Sequence, residues 1–216
     1  MPRSLDAHLV VVEAMYGRRQ YQKCRKYINN KLLVLFPRCS RAYYFQAMCV
    51  QHDQSKKAAA SSELLEEQVL GLLKRALQYS PDDALAQAAA KRARAIVAGR
   101  TTGNEHFKAG RFEEALGHYT NALAFDPCTG TVAKLQFNTA LCLDKLGRAA
   151  AAIEACTAAI RADPRYTKAL IKRAELYEAQ RSIQEAINDL ESLPNSDRHS
   201  VAHTLGRLHR LLRQQV

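Results

Sequence analysis

The chain has 216 residues, of which 47% are hydrophobic and 25% are charged, so it is long enough for one or two domains with a buried core. Its formal net charge of +11 favours an anionic partner such as nucleic acid, an anionic membrane surface or an acidic peptide. The sequence has no apolar run long enough for a transmembrane helix and no signal-peptide core at its start. The six cysteines form no C-x-x-C pair, which predicts reduced thiols in a cytoplasmic or nuclear protein and disfavours zinc.

The first part of the chain predicts helices joined by turns. Good helix formers dominate throughout, and no run of alternating β-branched residues is found. We expect two degenerate helical pairs over residues 1–81, the first turning near Gly17. The second pair is predicted to have helices over 42–50 and 63–77, with an exposed loop over 51–62.

The second part of the chain predicts a more regular arrangement. An alanine-rich stretch over 82–99 has helical spacing and predicts one long linking helix. Residues 96–193 divide into three helical pairs, with Gly110 and Gly147 at turns between helices. Residues 194–216 predict a last, basic helix that caps the third pair through an apolar stripe. The stripe consists of Val201, Leu205, Leu208 and Leu212.

The first of these three pairs carries a motif. Its small, aromatic and turn residues fall at characteristic places: Gly103, Gly110, Phe112, Ala115, Tyr119, Ala122 and Pro127. This spacing resembles the tetratricopeptide repeat, a helix-turn-helix unit of about 34 residues. The resemblance implies an all-α solenoid of helical hairpins, wound as a right-handed superhelix and closed by a C-terminal capping helix. Small residues let the helices approach closely, and aromatic residues fill the spaces between hairpins.

The first helices of such repeats line a concave groove. The positions expected to face this groove are basic or amide residues: Arg100, Asn104, Asn138, Lys168 and Lys172, with Arg173 adjacent. The set resembles the dicarboxylate clamp of chaperone-binding tetratricopeptide domains. That clamp holds the C-terminal Glu-Glu-Val-Asp of the seventy- and ninety-kilodalton heat-shock chaperones through Lys, Asn, Asn, Lys and Arg. The extra residues between Asn104 and Asn138 are assigned to a loop over Cys128–Thr131.

The physical basis of such a clamp is charge and donor geometry. A peptide that ends in aspartate carries two carboxylates there, which cations and amide donors can hold. Arg100 stands in place of lysine and Lys172 in place of arginine, so the charge is kept while the geometry of the donors changes. Phe107 is predicted either to line a pocket for the peptide valine or to pack between helices.

The whole layout resembles the cytosolic tandem-tetratricopeptide J-protein co-chaperones of the DnaJ subfamily C, member-seven type. The motifs Gly103-Asn104-x-x-Phe107-Lys108-x-Gly110 and Lys168-Ala169-x-x-Lys172-Arg173-Ala174 carry the resemblance, which covers roughly residues 10 to 216. In that family a J domain with a His-Pro-Asp loop follows the repeats and stimulates the chaperone ATPase. This sequence contains no His-Pro-Asp, so the resemblance implies docking alone, either by an adaptor between chaperones or by a truncated or divergent relative.

Other functional classes have weaker support. No phosphate-binding, zinc-protease or serine-hydrolase motif is present, so we expect neither an enzyme nor a cofactor or metal site. The basic residues at 91–94 and 198–213 suit RNA or another anionic surface, but the lack of tryptophan disfavours single-strand binding. A groove for a different protein ligand stays open, as do further protein clients of the N-terminal repeats.

Overall fold

A computed structural model describes residues 4–53, 62–125 and 129–214. These residues form helices and no strands, which confirms the predicted all-α class. None of the helices found there is long and apolar enough to cross a membrane. The helices are α1 (Leu5–Gly17), α2 (Tyr21–Tyr27), a π-helical segment (Ile28–Leu32), α3 (Leu33–Leu35), α4 (Ser40–His52), α5 (Ser62–Tyr79), α6 (Ala84–Lys108), α7 (Phe112–Leu123), α8 (Thr129–Lys145), α9 (Ala149–Ala162), α10 (Thr167–Ala179), α11 (Ile183–Glu191) and α12 (Asn195–Gln214).

The chain divides into two compact units, Met1–Ala98 and Gly99–Val216, and the boundary falls inside α6. In the first unit, α1, α2 and α4 pack around a core that includes Val12, Cys24 and Ile28. A second cluster joins α4, α5 and the first half of α6 around Leu73 and Ala90. Both clusters bury small and large apolar side chains side by side, which close helix packing requires.

The second unit contains three successive hairpins. The end of α6 pairs with α7, α8 with α9, and α10 with α11. Helix α12 packs on the third hairpin through its predicted stripe, with Val201 and Leu208 buried and Leu205 and Leu212 partly buried. This stripe covers the apolar face that the last hairpin of a solenoid would otherwise expose.

Four turns between paired helices require the left-handed backbone conformation. Gly110 and Gly147 adopt it with φ of 76° and 72°, as their place in the repeat predicts. Arg19 and Arg181 adopt it at the equivalent places with φ of 57° and 62°, although they carry a Cβ. The chain turns near Gly17, as predicted, because α1 ends at Gly17, but the left-handed residue of this turn is Arg19.

Close packing of α6 on α7 depends on Gly103. A Cβ added at Gly103 would lie only 2.5 Å from the Tyr119 ring, closer than real Cβ atoms approach. Tyr119 is itself almost completely buried. The glycine therefore makes room for the aromatic residue, and the two form the packed centre of the first hairpin of the second unit.

Two predicted loops have different outcomes. Most of the expected loop over 51–62 lies outside the described residues, although α4 continues through His52 and α5 begins at Ser62. The loop predicted over Cys128–Thr131 is wrong in its described part, because α8 already begins at Thr129. The extra residues between Asn104 and Asn138 thus lengthen the start of a first helix.

Candidate peptide-binding groove

Two asparagines meet where α6 and α8 lie side by side. The Nδ2 amide of Asn138 on α8 donates to Oδ1 of Asn104 on α6 at 3.1 Å. The hydroxyl of Tyr119 on α7 donates to the same oxygen at 2.7 Å. Both asparagines are partly buried. The structure therefore brings together two of the residues that the sequence assigned to one groove.

These hydrogen bonds fix the orientation of the Asn104 amide. Both bonds end on Oδ1, so the Nδ2 group of Asn104 is directed away from Tyr119 and Asn138 as a donor. Burial raises the pKa of Tyr119 to about 12, further above neutral pH than its ordinary value of 10, so its hydroxyl is a donor. This second role of Tyr119 was not predicted, because the repeat motif already accounts for Tyr119 as a packing residue.

Lys168 and Lys172 lie one turn apart on α10, but their surroundings differ. Lys168 is exposed, and no acidic side chain among the described residues lies within ion-pair distance of it. Lys172 is only 20% exposed, and its Nζ lies 2.9 Å from Oδ2 of Asp144 on α8 and 3.1 Å from Oε2 of Glu175. Burial acts to lower the pKa of Lys172, but the hydrogen bonds to Asp144 and Glu175 outweigh burial and raise it.

Arg173 is held by a different set of residues. Its guanidinium binds the buried Asp189 on α11 through two hydrogen bonds, of 2.8 and 2.6 Å, and donates to Oγ1 of Thr157 on α9 at 2.8 Å. These hydrogen bonds to Asp189 raise the pKa of Arg173 above its ordinary value. Arg173 thus connects three helices, whereas the sequence suggested that it joins Lys168 and Lys172 in the groove.

Arg100 and Phe107 lie on the same helix as Asn104. Arg100 is partly buried. Burial is the larger effect on the pKa of Tyr119 and raises it, whereas the positive charge of Arg100 acts to lower it. Phe107 packs edge-on against Phe112, with ring centroids 5.3 Å apart, and against the buried cluster around Tyr119. Phe107 was predicted either to line a pocket for the peptide valine or to pack between helices, and these contacts correspond to packing.

Asp144 and Asp189 are acidic partners of the site that the repeat pattern does not predict. Each faces a cation from a neighbouring helix, and nothing in the linear pattern marks either pairing. Cys142 and Cys156 are buried, and burial raises their pKa values to about 11 and about 12, so both thiols stay protonated as small core residues. Within the described part of the chain, no group of three or more metal-ligating side chains is found.

Comparison with protein families identifies the class to which the chain belongs. Two tetratricopeptide repeat models match residues 100–167 and 145–208, which together cover half of the chain. The chain belongs to the tetratricopeptide repeat family, as its motif predicted.

One particular relative is DnaJ homolog subfamily C member 7 of Homo sapiens. It is 35% identical over 186 residues, which cover 86% of this chain and 35% of the relative. This similarity confirms the predicted likeness to the tandem-repeat J-proteins. The chain spans about a third or less of the length of the curated relatives that it matches first.

Two solved structures show the same architecture. The tetratricopeptide domain of P58(IPK) superposes with a TM-score of 0.74 over 98% of this chain and 57% of its own, at 19% identity, which establishes the fold. The first tetratricopeptide domain of Spaghetti (RPAP3), bound to the HSP90 peptide SRMEEVD, gives a TM-score of 0.50 at 25% identity. That match covers 56% of this chain and 97% of the RPAP3 domain.

Proposed function

We propose that the chain is a non-enzymatic co-chaperone adaptor of the cytoplasm or nucleus. Its groove over residues 96–193 binds the acidic C-terminal peptide, of the Glu-Glu-Val-Asp type, of the seventy- and ninety-kilodalton heat-shock chaperones. Two similarities support this proposal. The human relative is a DnaJ homolog, and the RPAP3 domain, which matches over about half of this chain, binds an HSP90 peptide ending in these residues.

The hydrogen bond between Asn104 and Asn138 is the observation that carries the proposal. It joins two first helices and leaves the Asn104 amide as an oriented donor beside them. A peptide carboxylate is a strong acceptor for such donors, because a charge-assisted hydrogen bond is about twice as strong as a neutral one. Preorientation by Tyr119 also means that little side-chain freedom is lost on binding.

The cations of the site are Arg100, Lys168 and Lys172, of which Lys172 is already paired with Asp144 and Glu175. Lys168 is the most accessible of these for a ligand, since it is exposed and no described acid pairs with it. We assign Arg173 to the support of the groove, because Asp189 and Thr157 already hold its guanidinium. Phe107 supports α6 by packing on Phe112.

Calorimetry with a peptide ending in Glu-Glu-Val-Asp tests the proposal. We expect micromolar-range binding, and a loss of about tenfold or more in Asn104→Asp. This substitution keeps an acceptor oxygen for Tyr119 and Asn138 but removes the Nδ2 donor and adds a repelling charge. Asn121→Asp, an identical charge change on the exposed side of α7, is the matched control and should bind like the wild type.

The cation is tested in the same assay. Lys168→Ala should weaken binding about tenfold, whereas Lys145→Ala, at an exposed position near the end of α8, should not. Absence of peptide binding by the wild type contradicts the proposal, as does binding that neither Asn104→Asp nor Lys168→Ala affects. Salt-sensitive binding of single-stranded RNA that persists in Lys168→Ala, without any peptide binding, would instead indicate a nucleic-acid-binding protein.

A further inference from the structure

The carboxylate of Asp144 lies directly against the ammonium group of Lys172. Asp144 reaches Lys172 from the neighbouring first helix, with Oδ2 and Nζ 2.9 Å apart. The ammonium group has three N–H donors, and Asp144 and Glu175 occupy two of them. Together the two acids more than neutralise the single positive charge. A ligand carboxylate that approaches the remaining N–H therefore meets the repulsion of both acids, unless one of them moves away.

The two acids do not contribute equally. The side chain of Glu175 is 58% exposed and lies three residues further along the same helix, so its pairing with Lys172 is weak and solvent-screened. The side chain of Asp144 is 31% exposed, comes from a different helix and makes the shorter contact. Asp144 is thus the main competitor of a ligand at Lys172.

We propose that Asp144 acts as an internal substitute for one of the two carboxylates at the end of an acidic peptide. This inference rests on the proposed peptide-binding function and specifies its ligand class. The groove would recognise mainly the chain-terminal carboxylate, through the asparagines and Lys168. The side-chain carboxylate of the last residue would contribute little, because Lys172 is already paired.

Two peptides and two proteins test this role. The peptides end in Glu-Glu-Val-Asp and Glu-Glu-Val-Asn, both with a free terminal carboxylate, and differ only in the last side chain. We expect the wild type to bind them within about threefold of each other. Asp144→Asn should bind the aspartate peptide about tenfold more tightly than the wild type does, and should now prefer it over the asparagine peptide by a similar factor.

Glu175→Gln is the matched control, because it removes one acid from the same lysine and should change the preference by less than about threefold. Asp144→Ser is a second variant with the same expectation as Asp144→Asn, and thermal unfolding checks that both remain folded. If the wild type already prefers the aspartate peptide about tenfold, or if both Asp144 variants bind as it does, the inference is wrong while the proposed function stands. If neither peptide binds to any of the proteins, the proposed function itself fails.

Discussion

Residues 1–98 and residues 99–216 build the same helical hairpins from different side chains. In the second unit, Gly110 and Gly147 take two of the left-handed turn positions and Arg181 takes the third, and Gly103 makes room for Tyr119. In the first unit, Arg19 takes the turn position, and a π-helical segment, Ile28–Leu32, interrupts the second helix of the first hairpin. The hairpin therefore tolerates a poor match to the motif, since buried apolar contacts stabilise it in both units.

The two units also differ in how they use charge. The second unit places the Arg173–Asp189 pair among three helices, with the two side chains 17% and 9% exposed. In the first unit, Arg25 and Asp53 are similarly buried but lie 3.9 Å apart, and Arg41 and Glu13 form an exposed pair at 4.0 Å. The Arg173–Asp189 pair of the second unit thus links the groove helix α10 to its neighbour α11 through short hydrogen bonds, and substitutions can test this contrast.

The largest effect is expected at the buried ion pair. Asp189→Asn should destabilise the protein by about 3 kcal/mol, because it leaves the Arg173 guanidinium buried without its anionic partner. Glu13→Gln in the first unit should cost less than about 0.5 kcal/mol, as exposed pairs usually do. Urea denaturation followed by circular dichroism measures both. Equal costs for the two variants would contradict the contrast between the units.

A smaller effect is expected at the glycine under Tyr119. Gly103→Ala should cost about 2 kcal/mol, because the added methyl group meets the ring at 2.5 Å and forces the helices apart. Gly71→Ala in the first unit is the control, since no other group lies within 4 Å of a Cβ there. It should stabilise the protein by about 0.5–1 kcal/mol through helix propensity. Thermal or urea unfolding distinguishes the two signs, and a stabilising Gly103→Ala would disprove the packing role.

The turn positions should show a still smaller effect, with opposite signs for a turn glycine of the second unit and the turn arginine of the first unit. Gly110→Ala should destabilise the protein by about 1 kcal/mol, because alanine is strained at a φ of 76°. Arg19→Gly should gain less than about 1 kcal/mol, since relief of strain is partly offset by a more flexible unfolded chain. Paired denaturation curves measure both changes. Loss of stability in Arg19→Gly would show that the arginine side chain makes a compensating contribution.

The smallest effect concerns the stability of the protein at high pH, and it is absent near neutral pH. Burial raises the pKa values of Tyr16 in the first unit and Tyr119 in the second to about 12. An unfolded tyrosine ionises near pH 10, so the unfolded chain loses its protons first and stability should fall as the pH rises from 10 towards 12. Ultraviolet titration of the phenolates should show late ionisation, with one such group fewer in Tyr119→Phe. A protein whose tyrosines all ionise near pH 10 would contradict this expectation.

Much of the fold was predictable because it depends on local patterns. Helical spacing, turn glycines and the apolar stripe around Val201 and Leu208 are properties of neighbouring residues, and they predicted the three hairpins and the helix on the last of them. The start of α8 was not predicted, because a short segment with Thr129 and Gly130 looks like a turn unless its contacts in the fold are known. The left-handed conformation of Arg19 was not predicted either, since arginine has no sequence preference that indicates a positive φ.

In the candidate site, too, some features follow from the local sequence and others only from the tertiary structure. By itself, the sequence determined the residue types and register of Asn104, Asn138, Lys168 and Lys172, because repeat spacing places equivalent positions on equivalent helices. Only the tertiary structure decided that Tyr119 orients Asn104, that Asp189 holds Arg173 and that Asp144 neutralises Lys172. These contacts join residues from different helices, and their strength depends on burial and on distances of about 3 Å. A linear sequence pattern contains neither the burial of these side chains nor the distances between them.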